Sequence, residues 1–214
     1  MLDFSNIFNR YEAWVREVDK GVARIRQAYP KEVRCDRGCC DCCYAVFDLS
    51  LIEAVYLNHR FHERLEKREV EVILERADRA DRQAYRLKRR LYKELSQNAV
   101  DEEEVLAALS RERIACPLLN ENRLCDLYAC RPLTCRVYGV PTAVRGRART
   151  CGLSGFQEGR SYPTIYLDAI NDRLQEFSRE LLKEIGAAGS PLERRWIPLS
   201  TALLTDYDEE YFGL

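Results

Sequence analysis

Apolar residues return at helical spacing in three separate stretches of the chain, and between them the helical period vanishes. Over residues 5–29, Ile7, Tyr11, Trp14, Val18, Val22, Ile25 and Tyr29 recur in steps of three and four. That spacing puts one apolar stripe on one helix, and Pro30 ends it. A second helix opens at Ser50, where Ser50-Leu51-Ile52-Glu53 has the form of a capping box; Ala54, Leu57, Phe61 and Leu65 then mark its buried face. Residues 69–95 continue helically, with a narrow apolar line of Ile73, Ala77, Ala80, Ala84, Leu87, Leu91 and Leu95 in an otherwise charged stretch. This reads as an arm packed on one side and solvated on the other. Asp101 and Glu104 begin a short helix to about Arg111. The third strong pattern starts near Thr164, with Leu167, Ile170, Leu174, Phe177, Leu181 and Ile185 on one face and Gly186 closing the helix. A short helix to Leu204 follows Trp196-Ile197-Pro198-Leu199, and the tail from Asp206 to Phe212 is acidic and aromatic.

From Ile114 to Phe156 the pattern is different. Cysteines, prolines and glycines punctuate short apolar pieces, which predicts loop and short strands folded around a metal rather than around a large core. The expected fold is therefore mainly α: a helical scaffold around an irregular cysteine-rich metal module with short strands. We read one metal-binding domain over residues 1–214. Its core segments are 35–43 and 116–151, its helical arm spans about 50–111, and its C-terminal helix spans about 164–186.

Charge narrows the reading. With 34 basic and 35 acidic residues the net charge is −1, without the basic excess of a nucleic-acid binder, and no aromatic platform accompanies the basic runs at 86–90 and 145–149. Nucleic acid is not expected as a partner; a protein partner is left open. The first residues show no basic and apolar leader, and no run of about 18 apolar residues occurs, so a cytoplasmic protein away from membranes is expected.

That placement decides how ten cysteines are read. In a reducing compartment clustered thiols point to metal or redox chemistry rather than to disulfides. Five of them, Cys35, Cys39, Cys40, Cys42 and Cys43, fall within nine residues. Two interleaved C-x2-C pairs, Cys39 with Cys42 and Cys40 with Cys43, have the spacing of zinc half-sites, whereas Cys35, Cys39 and Cys42 form a C-x3-C-x2-C run that also suits a four-iron cluster. Cys116, Cys125, Cys130, Cys135 and Cys151 form a wider second group. Thiolates select zinc, iron–sulfur or Cu(I) over hard cations. His59 and His62 share a helical face, but the charged neighbours Arg60, Glu63 and Arg64 favour a solvated surface. Arg131 and Arg136 could donate to metal-bound sulfur or anchor the loop by ion pairs. Nucleotide-binding, serine-hydrolase and zinc-protease motifs are absent.

Cys35-x3-Cys39-x2-Cys42-Cys43, followed by Cys116-Pro117-Leu118-Leu119, Leu124-Cys125-Asp126-Leu127-Tyr128 and Arg131-Pro132-Leu133-Thr134-Cys135-Arg136, resembles the YkgJ-type cysteine-cluster family of zinc- or iron-chelating domains. The resemblance covers about residues 35–151. It implies eight metal ligands: Cys35, Cys39, Cys42, Cys43, Cys116, Cys125, Cys135 and Cys151. Cys40 and Cys130 lie outside its pattern. Flagellin lysine methylases carry a similar cysteine pattern in longer chains, without a matching cofactor segment here. The leading expectation is an iron–sulfur protein in redox or cluster-dependent chemistry. The alternatives are a zinc-binding structural or interaction protein, and a metal-dependent enzyme of redox or methyl-transfer chemistry with an open metal site. No catalytic residue is assigned.

Overall fold

The computed structural model describes residues 2–98 and 112–214, without the side chains of 94–98. The short helix expected at 101–111 lies outside the described residues.

Helix α1 (Ser5–Ala28) follows its stripe: Ile7, Phe8, Tyr11, Val15 and Ile25 are buried, with Trp14, Val18 and Val22 packed at the margin. It stops one residue before Tyr29, whose N–H still reaches Ile25 O at 2.9 Å. Helix α2 (Leu51–Arg64) is the centre of the molecule, buried without interruption from Leu51 to Asn58. The capping box forms as expected, with both of its arms made between Ser50 and Glu53. A further donor in its first turn, Ile52 N–H, is satisfied by Ser178 Oγ at 3.2 Å. Leu65 is extended, so α2 does not run on into the arm; helix α3 (Lys67–Asn98) starts afresh. Ile73, Ala77, Ala80, Leu87 and Leu91 bury the expected narrow line, and Tyr85 and Tyr92 stand in solvent.

The C-terminal helix, numbered α5 (Leu167–Glu184) because the short helix α4 (Leu133–Val137) precedes it, begins later than the periodicity predicts. Ile165 and Tyr166 are drawn into strand β4, which pairs in parallel with strand β2 (Thr142–Val144). Backbone pairing there overrides the helical pattern. Gly186 closes the helix at φ 86°, and Ala187 N–H reaches back to Leu182 O at 2.8 Å. Strand β2 also pairs antiparallel with β3 (Arg147–Arg149). The two-residue turn between them has positive φ at both Arg145 (49°) and Gly146 (75°), the turn whose twist suits a hairpin. Strands β1 (Asp48–Leu49) and β5 (Ile197–Pro198) form a second, antiparallel pair beside helix α6 (Leu199–Leu204). Asn58 of α2 donates to Ala202 O and Thr205 O at 3.0 Å, and Ser200 and Thr201 donate to Asp81 of α3, so α6 is held between the two long helices. Helix α7 (Glu209–Phe212) folds Phe212 back onto Phe4.

One apolar cluster runs from Phe4 to Phe212 and includes residues on each of these seven helices. Each fully buried Leu or Phe in it contributes about 1.5–3 kcal/mol relative to exposure. Helices thus dominate, and the cysteine-rich segments fold as turns, short helices and short strands on their surface, the mainly α architecture expected. Among the described residues no helix is long and apolar enough to cross a membrane.

A candidate metal centre

The first thiol cluster is shaped by tight backbone turns. Cys39 N–H bonds Asp36 O at 2.9 Å with Gly38 at φ 94°, and Cys43 N–H bonds Cys40 O at 3.0 Å within a 3-10 turn over Asp41–Tyr44. The second cluster is laid beside it by backbone pairing. Cys116 N–H reaches Cys43 O at 2.7 Å, Ile114 N–H reaches Tyr44 O at 3.2 Å, and Ala45 bridges Arg113. The chain then doubles back at Asn120, where Leu119 bridges Cys125 and Arg123 takes a φ of 61°. Helix α3 clamps this loop through Arg76, which donates to Leu119 O at 2.7 Å and pairs with Asp126 at 3.2 Å.

Cys135 arrives on helix α4 (Leu133–Val137), and Glu53 holds it there. One carboxylate oxygen of Glu53 completes the capping box of α2 and the other accepts from Leu133 N–H at 2.9 Å. A single buried side chain therefore caps both the central helix and the helix that carries Cys135. Burial raises its carboxyl above the usual range, against the pull of those hydrogen bonds. Arg136, one residue on, pairs with Asp19 of α1 at 2.6 Å and donates to Arg131 O at 2.7 Å. Arg136 thus makes the anchoring ion pair expected of it.

Six thiols line one cavity of about 30 Å³: Cys39, Cys42, Cys43, Cys116, Cys125 and Cys135. Phe47, Leu118, Leu124, Pro132 and Leu199 supply apolar walls, and Arg123 and Arg131 are the cations at its lining. The two stretches of cysteines, separated by more than seventy residues, thus converge. Cys35 and Cys151 do not line the cavity. Cys35 is packed against Gly139 so closely that a Cβ at position 139 would stand 2.2 Å from its own. Cys151 Sγ lies 3.7 Å from Asp41 Oδ2, in a polar cluster where Asp41 also accepts from Arg113 at 2.7 Å and Tyr138 at 3.1 Å. Cys40 is buried with Arg123 Nη2 donating to its sulfur at 3.2 Å, and Cys130 is buried in the main apolar cluster. His59 and His62 are both exposed, edge-on to Phe8 and Phe61, and border a different cavity.

Hydrogen bonds from Cys135 and Cys43 hold the Cys42 thiol well below its ordinary value, and the same bonds push Cys43 up. Cys135 is likewise raised by its bond to Cys42 and by burial. Burial raises Cys116 to about 12 and Cys125 to about 11. A metal entering the cavity must displace protons from the thiols whose values are raised, Cys43, Cys116, Cys125 and Cys135. Among the described residues no three His, Cys, Asp or Glu side chains already stand as a ready ligand set. Within the cavity Cys42 is hydrogen-bonded to Cys43 and Cys135, while Cys39, Cys116 and Cys125 border the same space. A soft, all-thiol donor set with apolar walls and two flanking guanidiniums fits a soft metal or cluster of net negative charge.

No curated protein and no solved structure matches the chain. A family model does, over residues 34–152, more than half of the chain and the whole span from Cys35 to Cys151. Its motif separates the first two cysteines by two residues where Cys35 and Cys39 are separated by three. With both cysteine stretches inside that match, and cysteine-ligated metal binding as the chemistry its description supports, the chain belongs to the CxxCxxCC family, described as "Putative zinc- or iron-chelating domain".

Proposed function

We propose that the protein holds an iron–sulfur cluster in the six-thiol cavity and uses it in redox or cluster-dependent chemistry. The observation that carries this reading is the convergence itself: Cys39, Cys42, Cys43, Cys116, Cys125 and Cys135 border one cavity. A single tetrahedral zinc takes four ligands, so six thiols around one cavity, including the adjacent Cys42 and Cys43, favour a polynuclear centre. Cys35 and Cys151 complete the eight-cysteine set as outer members, Cys35 near Cys39 and Cys42 and Cys151 near Asp41. Iron with inorganic sulfide would add electron storage at a site walled by apolar groups; this chain supplies the thiolates, excludes water and sets two guanidiniums beside the charge.

Zinc is the second reading, favoured by the size of the cavity. About 30 Å³ is the space of a water molecule or two, and it suits small ions without further opening. Anaerobic purification with metal and acid-labile sulfide analysis decides between them. Iron with stoichiometric sulfide and broad visible absorption supports the cluster. Colourless protein with about two zinc ions and no sulfide, from eight thiolates at four per ion, overturns it.

A further inference from the structure

A second cavity, about 190 Å³, lies between α1, α2 and the segment that precedes Cys135. Four guanidiniums line it, those of Arg16, Arg64, Arg131 and Arg136, against two carboxylates, Glu12 and Asp19. The carboxylates are already engaged. Asp19 is paired with Arg136 at 2.6 Å. Glu12 accepts from Tyr56 at 2.7 Å and from Arg60 at 2.8 Å, and those bonds hold its carboxyl below the usual range against the effect of burial.

The remaining cations are held loosely among the described residues. Arg64 has no hydrogen-bonded or ion-pair partner among the described residues, and Arg16 reaches Glu12 only at 4.0 Å. Arg131 donates through Nε to Tyr128 O and stacks on the Tyr128 ring, with no carboxylate paired to it among the described residues. Arg136 is spent on the wall: it donates to Asp19 and to the carbonyls of Arg131 and Ala129. Four guanidiniums against two carboxylates around a concave polar space, with Tyr11 and Val15 at its apolar side, form an arrangement that an anion completes. The volume admits a small molecule, not a polymer segment. Arg131 lines this cavity and the six-thiol cavity both, so an anion seated here would lie next to the metal centre.

We propose that this cavity is a binding site for a small oxyanion, the carboxylate or phosphate of a low-molecular-weight ligand, gripped by Arg16, Arg64 and Arg131. The site does not depend on the identity of the metal, because none of these arginines is a ligand candidate and the cavity is formed by protein groups alone.

The test is calorimetric titration of the purified protein with inorganic phosphate and, separately, with succinate, at an ionic strength held constant with chloride. The same titrations are run on Arg16→Gln and Arg64→Gln, both at exposed positions whose replacement leaves the buried cluster intact. Saturable binding of either anion that weakens about tenfold or more in each variant, the loss of one charge-assisted contact, is the expected result. The proposal is overturned if neither anion binds more tightly than chloride, or if binding is unchanged in both variants. Equal thermal midpoints of variants and parent show that a loss of binding is not a loss of fold.

Discussion

Glu53 carries more of the architecture than its position in a surface-type motif announces. Its two oxygens serve three donors, Ser50 N–H, Ser50 Oγ–H and Leu133 N–H, on elements eighty residues apart. In Glu53→Gln the amide nitrogen cannot accept, so one buried N–H loses its partner, which costs about 1–3 kcal/mol. The effect also depends on pH. Burial raises the folded carboxyl above its unfolded value, so the fold binds the proton more tightly than the open chain does. The stability this contributes is fully present below the unfolded value, about 4.3, and is lost as pH rises through the raised one. Urea titrations of parent and variant across that interval should show their difference in stability shrinking as pH rises; a constant difference would mean that Glu53 binds its proton no more tightly in the fold than in the open chain. The cysteines divide at the same scale. Cys42→Ser and Cys125→Ser should each lower bound metal by half or more, because both side chains border the shared cavity. Cys130→Ser, in the apolar cluster, should leave metal stoichiometry unchanged while lowering stability. Metal retained in full by Cys42→Ser would contradict the six-thiol site.

Among the elements, those that bury a continuous stripe were legible from residue pattern alone. Helices α1 and α5 follow their spacing of three and four, and Ser50 with Glu53 marked the start of α2. The errors fall where contacts distant in sequence decide. Ile165 and Tyr166 fit the helical period of α5, yet pairing with Thr142 and Ala143 takes them into a strand. Nothing local shows that Glu53 reaches Leu133, or that Arg76 in a charged helix holds Leu119 and Asp126. The thiols themselves were plain in the sequence, but their division was not: spacing cannot tell that Cys35 and Cys151 stand off the cavity. Arg76 gives that hidden layer a test. Its side chain is about three-quarters buried, and it bonds both a backbone carbonyl of the loop between Cys116 and Cys125 and the carboxylate of Asp126 that follows it. Arg76→Ala should free that loop, leaving α3 helical. We expect metal affinity to fall about tenfold or more, as for other outer supports of metal ligands, measured by competition with a chromophoric chelator. Unchanged affinity would show that backbone pairing at Cys43 and Cys116 suffices.

At the scale of the whole molecule, the question is what the metal contributes to folding. A small zinc domain unfolds without its ion because it has too little core of its own. Here the apolar cluster joins Phe4 and, from α1, Ile7 and Tyr11 to Leu57 and Phe61 of α2 and to Phe177 and Leu181 of α5, none of which lies in the cysteine segments. The module adds Leu118, Leu127, Leu133, Val137 and Val140 to that same cluster, so part of it stays packed when thiols and metal separate. Metal removal should therefore loosen the cavity without melting the helices. If free metal in the holoprotein stands about a hundredfold above its dissociation constant, binding adds ~2.7 kcal/mol. For a chain of this size that is worth about 5–10 °C in thermal midpoint. Circular dichroism before and after exhaustive anaerobic chelation checks this. Retention of the far-ultraviolet helical signal, with a midpoint lowered by several degrees, is the expected result. Collapse of most of that signal at room temperature would instead make the metal the keystone of the fold, and the helices its dependants.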